Sequence, residues 1–107
     1  MNTNEEQAVK EFSEKLREKY GNRIESIRLY GSKVRGDDDR FSDIDLFILA
    51  EEKSEEMRGF VLDAAFELNL KYGVLLSTII YDKKSFNRPV TQVTPFIRAV
   101  LREGILT

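Results

Sequence analysis

Two stretches decide how this 107-residue sequence folds: Leu29-Tyr30-Gly31-Ser32 and, after ten intervening residues, Asp43-Ile44-Asp45-Leu46-Phe47-Ile48. The first ends a predicted strand over residues 24–30, which the Gly-Ser pair breaks. The second opens a predicted strand over residues 43–50. Its later part is an almost continuous apolar run, as expected for a strand that is covered on both faces. The sequence therefore predicts two neighbouring strands with polar residues where one ends and the other begins.

Helical periodicity predicts three helices around these strands. Apolar residues recur every three or four positions in each of them. A Thr3/Glu6 capping box, a serine N-cap and a Thr-Pro pair mark the starts, and glycines mark the ends. The predicted boundaries are Thr3 to Gly21, Ser54 to Gly73, and Thr94-Pro95 to Gly104.

The remaining segments complete the predicted topology. Residues 74–81 are rich in β-branched and aromatic side chains and predict a third strand, whereas residues 33–42 and 82–93 are interpreted as loops. We find no repeat and no low-complexity tract. The order α-β-β-α-β-α predicts one α/β (α+β) domain over residues 1–107, with helices packed on a small mixed sheet of about three strands.

Composition excludes several kinds of chemistry. The chain has no histidine and no cysteine, so imidazole bases, thiolate nucleophiles and zinc–sulfur sites are ruled out. Oxygen ligands remain, and these favour Mg²⁺ or Mn²⁺. The 17 basic and 19 acidic residues nearly balance, which disfavours non-specific nucleic-acid binding. The apolar runs fall far short of the roughly 20 residues of a membrane helix, so we expect a cytoplasmic protein without membrane contact.

The two deciding stretches also carry candidate chemistry. Asp43 and Asp45 are two residues apart on a strand, so both carboxylates leave the same face and can share a metal ion. At Gly31-Ser32 the backbone can approach a ligand closely, and the turn with the serine hydroxyl is suited to an anion. Alone, a Gly-Ser pair is usually a turn, and an Asp-x-Asp pair is often solvated. Together they predict a site for a Mg²⁺-complexed nucleoside triphosphate.

The pattern Gly-Ser-x10-Asp-x-Asp, flanked by these strands and followed by Pro-Phe-Ile-Arg-Ala-Val-Leu-Arg-Glu-Gly-Ile-Leu, resembles the minimal nucleotidyltransferases of the DNA polymerase β superfamily. The resemblance implies a polymerase-β-like fold and transfer of AMP from ATP to an acceptor hydroxyl. It implies that Gly31 and Ser32 bind the triphosphate and that Asp43 and Asp45 are catalytic and bind Mg²⁺. Arg35 matches a basic position common in the family's loop, from which it would contact phosphate; alternatively it is a solvated loop arginine pairing with Asp37–Asp39.

One position departs from the family pattern. Active members usually carry a third carboxylate on the strand after the long helix, and the matching position here holds Ser77. Serine cannot act as a base near neutral pH. Asp82 is the nearest acid, but it lies five residues on, and a strand-end turn is its simpler interpretation. We expect nucleotide and metal binding to survive this change better than catalysis does.

Two functions follow from the resemblance. The first is an enzyme that transfers AMP to a hydroxyl of a partner protein, as in toxin–antitoxin pairs. The second is a catalytically weak or inactive antitoxin-like regulatory module, which acts by binding a small helical partner of the HEPN type. A nucleotide-binding domain that has lost activity is a third and weaker interpretation.

Overall fold

The computed structural model describes residues 1–36 and 42–107, and within them four strands form one mixed sheet. The strands are β1 (Ile24–Tyr30), β2 (Ile44–Ala50), β3 (Leu76–Asp82) and β4 (Ile105–Leu106), in the spatial order β3-β2-β1-β4. β1 is antiparallel to both β2 and β4, whereas β2 and β3 are parallel. The α/β class is confirmed, with β4 as a fourth strand beyond the three predicted.

Two long helices and several short ones surround the sheet. The helices are α1 (Thr3–Tyr20), α2 (Ser32–Arg35), α3 (Glu55–Tyr72), α4 (Lys83–Phe86), α5 (Pro89–Gln92) and α6 (Pro95–Glu103), with a 3-10 turn at Gly21–Arg23. The predicted N-caps of α3 and α6 are confirmed, because Ser54 accepts the amide of Met57 and Thr94 that of Ile97.

Three local predictions were wrong. The capping box of α1 uses Asn2 and Glu5 rather than Thr3 and Glu6, because the asparagine oxygen already accepts the Glu5 amide at 2.8 Å. The predicted loop over residues 82–93 contains the single-turn helices α4 and α5, and the segment after Gly31 contains α2. Helices of four residues are too short to leave a periodic signal in the sequence.

The sheet separates two apolar layers. One face packs on α1 and α3 through alternate strand residues such as Ile27, Leu46 and Ile48, all fully buried. The other face centres on Phe47, whose ring lies 5.2 Å from Tyr81 and about 6 Å from two further phenylalanine rings, those of α4 and α6. β2 is therefore covered on both faces, as its apolar run predicted.

No helix in the described part of the chain is both long and apolar enough to cross a membrane. The described chain measures 37 × 31 × 18 Å along its principal axes.

Candidate active site

The site centres on Asp45, which lies near the start of the middle strand β2. Its Cα pairs with Tyr30 of β1 on one side and with Ser77 of β3 on the other. Paired residues of neighbouring strands project to the same face, so the three side chains share the face that carries Phe47. Asp43 comes immediately before β2 and is exposed, whereas Asp45 is half-buried. The predicted carboxylate pair therefore lies at the open end of a central strand.

Gly31 packs directly against the Asp45 carboxylate. Its backbone has φ 85° and ψ −155°, a region that residues other than glycine hardly ever adopt. A Cβ atom built there would lie 3.3 Å from Asp45 Cγ and closer still to Oδ2. α2 begins at the next residue, and the amides of Val34 and Arg35 donate to the Gly31 carbonyl at 3.1 Å. The structure thus brings the predicted anion turn and the predicted metal carboxylate into contact.

Burial and like charge raise the pKa of the Asp45 carboxyl. Desolvation is the larger cause and the negative charge of Asp43 adds to it, whereas Arg35 partly offsets both. Burial likewise raises the pKa of the Tyr30 hydroxyl to about 12, with contributions from Asp45 and Tyr81. Tyr30 therefore remains a neutral hydroxyl at physiological pH. Its ring meets Phe96 edge to face at 5.6 Å, so Tyr30 is a partly buried member of the core on this face.

Arg35 lies at the end of α2, close enough to the carboxylates to act on Asp45 electrostatically. Its guanidinium Nη1 is 3.5 Å from Glu103 Oε2 at the end of α6, and its side chain is about half exposed. The alternative partners Asp37–Asp39 lie outside the described residues.

An ion pair that sequence reasoning missed connects α2 to α1. Lys33 Nζ lies 2.6 Å from Glu5 Oε2, and the two side chains are only 1% and 10% exposed. Burial alone would raise the pKa of Glu5, but the bonds from Lys33 and from the Asn2 amide outweigh it, so the net pKa is lowered. No local signal relates residues 28 positions apart in sequence, and the capping box predicted there used Glu6 rather than Glu5.

β3 carries both residues considered for the missing third carboxylate, Ser77 and Asp82. Ser77 lies beside Asp45 in the parallel ladder, as its alignment with the family position predicted. Asp82 pairs with Ala50 at the far end of the same ladder, and its carboxylate accepts the amide of Ser85 as the N-cap of α4. Asp82 is thus a helix cap, and it lies five positions along the strand from Ser77, roughly 16 Å from the site.

The ligand set suits a hard divalent cation but is small. Asp43 and Asp45 offer carboxylate oxygens, and Ser77 and Ser32 offer hydroxyls, all of the donor type that Mg²⁺ prefers. Burial and, to a smaller extent, repulsion from Asp43 raise the pKa of Asp45, and a bound cation would relieve that repulsion. Within residues 1–36 and 42–107 no group of three or more acidic, histidine or cysteine side chains is placed to hold a metal ion.

Sequence comparison identifies relatives that span nearly the whole chain. Residues 9–105 match the nucleotidyltransferase domain family. A proposed protein adenylyltransferase of Methanocaldococcus jannaschii, MJ0604, is 41% identical over 101 residues, covering 94% of this chain and 95% of that protein. A second from the same organism, MJ0141, is 33% identical over 98 residues, covering 91% and 92%.

Solved structures show the same fold. A toxin–antitoxin crystal structure with AMP-PNP superposes with a TM-score of 0.57 at 23% identity, covering 90% of this chain and 69% of that one. A MntA-HpeT toxin–antitoxin mutant gives a TM-score of 0.55 at 22% identity, covering 86% and 66%. These superpositions confirm the predicted fold, and the family match confirms the resemblance to nucleotidyltransferases. The chain belongs to the nucleotidyltransferase domain family.

Proposed function

We propose that this protein is a Mg²⁺-dependent adenylyltransferase that transfers AMP from ATP to a hydroxyl of a partner protein. The carrying observation is the contact between Gly31 and the Asp45 carboxylate. A turn suited to phosphate oxygens and a carboxylate suited to a cation are held together there. The protein adenylyltransferase names of two relatives support both the nucleotide and the protein acceptor.

The residues divide the work in a simple way. Asp43 and Asp45 would hold the cation, and Gly31 with Ser32 would bind the triphosphate beside it. A bound Mg²⁺ supplies neutralisation and orientation of the phosphate oxygens. In the transfer, the acceptor oxygen bonds to the α-phosphorus, the bond from that phosphorus to the bridging oxygen breaks, and pyrophosphate leaves.

The acceptor proton distinguishes this site from one with three carboxylates. Ser77 stands beside Asp45 and cannot take up a proton near neutral pH, and the high pKa of Tyr30 excludes a phenolate base. The proton therefore passes to solvent at the open end of the sheet, where Asp43 is exposed. We expect slow transfer that depends on precise docking of the acceptor.

The test is transfer of label from α-labelled ATP to the co-expressed product of the neighbouring open reading frame. Asp43→Asn and Asp45→Asn should each reduce transfer by at least about 100-fold. Asp63→Asn changes an exposed aspartate of α3 and is the matched control, for which full transfer is expected. Unchanged transfer in either site variant, with normal melting, would overturn the proposal.

A regulatory module that acts by binding alone is the second candidate, favoured by Ser77 in place of the third carboxylate. Its partner would be a small helical protein of the HEPN type. α3 offers a surface for it: Leu62, Phe66 and Leu70 repeat every four residues and are 51%, 66% and 72% exposed. A row of this spacing fits the apolar face of a partner helix.

Silencing of the partner, AMP incorporation and co-purification separate the two candidates. Silencing of the partner by wild type and Asp45→Asn alike, with no AMP incorporated, would establish binding alone. Phe66→Gln should then weaken co-purification, because it removes an exposed ring from the apolar row. Gln7→Asn, an exposed polar change on α1, serves as its control.

A further inference from the structure

A groove of about 740 Å³ runs between α1 and the edge strand β4, apart from the carboxylate site. Val9, Ser13 and Leu29 form its buried floor, and Ile105, 53% exposed, lies on its open side. Such an apolar channel beside a sheet edge is a surface that another chain can cover.

Four charged side chains of α1 line the outer wall of this groove: Glu6, Lys10, Glu14 and Arg17. Their spacing of four, four and three residues places them on one stripe of the helix. All four are exposed, and none forms an ion pair with any other residue that the structure describes. Along the helix the charges alternate: negative, positive, negative, positive.

This order is complementary to itself when reversed. In two antiparallel α1 helices that cross near residue 12, Glu6 faces Arg17 of the second copy and Lys10 faces Glu14 of the second copy. Each contact then occurs twice, as a two-fold axis requires. A second copy of this chain therefore satisfies all four charges at once.

The edge strand supports the same axis. Thr107 donates its amide to the Ile27 carbonyl at 2.9 Å, so the alternation of an antiparallel ladder turns the amide and carbonyl of Leu106 away from β1. A two-fold axis normal to the sheet beside β4 pairs Leu106 with its own copy and makes α1 antiparallel to its copy on the same face.

Helix and strand also lie at matching heights along the groove. Ser13 Oγ is 2.7 Å from Thr107 Oγ1, which places the middle of α1 over the end of β4. One axis can therefore pass through both the α1 crossing point and Leu106.

We propose that the α1–β4 groove is the interface of a homodimer, in which two copies join their sheets through β4 and pair their α1 helices antiparallel. The two grooves merge, and the long charged side chains cover the apolar residues beneath them. This inference does not depend on the nucleotide site, so either can fail without the other.

Sedimentation velocity between about 1 µM and 1 mM tests the proposal on the full chain, with dimer expected within that range. Lys10→Glu sets like charges opposite each other at two contacts and should weaken the dimer at least about tenfold, as should Glu14→Lys. Glu18→Lys, on the same helix outside the groove, is the matched control and should dimerise like wild type.

The decisive arm mixes the two weakened variants. In a heterodimer of Lys10→Glu with Glu14→Lys every contact is again between opposite charges, so the 1:1 mixture should regain dimerisation that neither variant has alone. Ile105→Lys buries a charge at the merged groove. It should give a folded monomer both as a single variant and when it is introduced into the two mixed charge variants. The proposal would be overturned if wild type stays monomeric at all concentrations, even where a partner protein covers the groove. It would also be overturned if the 1:1 mixture of the two charge variants stays monomeric.

Discussion

Ser77 and Asp45 lie side by side on the two parallel strands at the open end of the sheet. Side chains paired in this way project to the same face, so a carboxylate at position 77 would stand next to the one at position 45. The position that departs from the family pattern is therefore at the site itself.

Ser77→Asp should create the third carboxylate. We expect tighter Mg²⁺ binding and at least about tenfold faster AMP transfer, because the new side chain can both ligate the cation and accept the acceptor proton. Ser77→Asn has similar size without charge and should show neither gain. Single-turnover transfer from α-labelled ATP measures the effect, and equal rates for the two variants would refute it.

Gly31→Ala should abolish Mg²⁺-ATP binding. The added methyl group must displace the Asp45 carboxylate, and the backbone conformation at φ 85° adds about 1–3 kcal/mol of strain. Gly36 also has a positive φ, 78°, but no atom of the described residues lies within 4 Å of a Cβ built there. Gly36→Ala should therefore lose about 1 kcal/mol of stability and keep nucleotide binding. Calorimetric titration of both variants distinguishes strain from the clash, and binding by Gly31→Ala would contradict the role assigned to this contact.

The sequence predicted the polar end of the sheet well because the relevant signals are local. Gly31-Ser32 and Asp43-x-Asp45 each lie within a few residues, and strand alternation fixes the face of Asp45. The Glu5–Lys33 ion pair could not be predicted in this way, since it depends on how α1 packs against α2. β4 was missed for the same reason, because a two-residue strand exists only through its pairing with β1.

Glu5→Gln should destabilise the protein by about 3 kcal/mol at neutral pH, because it leaves the buried Lys33 ammonium without this carboxylate. The folded pKa of Glu5 is lowered, so its stabilisation is present above its ordinary value of 4.5 and is lost as pH falls through the folded value. Urea unfolding at a series of pH values should show the gap between wild type and variant closing below pH 4.5.

The double variant Glu5→Leu/Lys33→Met is the control for this ion pair. Replacing both charges with apolar groups of similar size should cost less than Glu5→Gln alone, since the double variant also removes the Lys33 ammonium from its buried position. If the stability difference between wild type and Glu5→Gln is the same at every pH, the variant has lost packing rather than a charge.

Asp45→Asn should change the free energy of unfolding in the opposite direction from Glu5→Gln and stabilise the metal-free protein. The raised folded pKa means that the native state binds more protons than the unfolded chain in the window above 3.8, so stability falls as pH rises through that window. At neutral pH asparagine removes this loss of stability. The gain in the free energy of unfolding is less than about 1 kcal/mol after solvent screening. Thermal melts in EDTA should show Asp45→Asn above wild type at pH 7 and level with it below pH 3.8, while Asp63→Asn follows wild type throughout. The same variant should lose AMP transfer, because the carboxylate that repels Asp43 is the one proposed to hold the cation. If Asp45→Asn is instead less stable than wild type at pH 7, Asp45 serves the fold rather than the site.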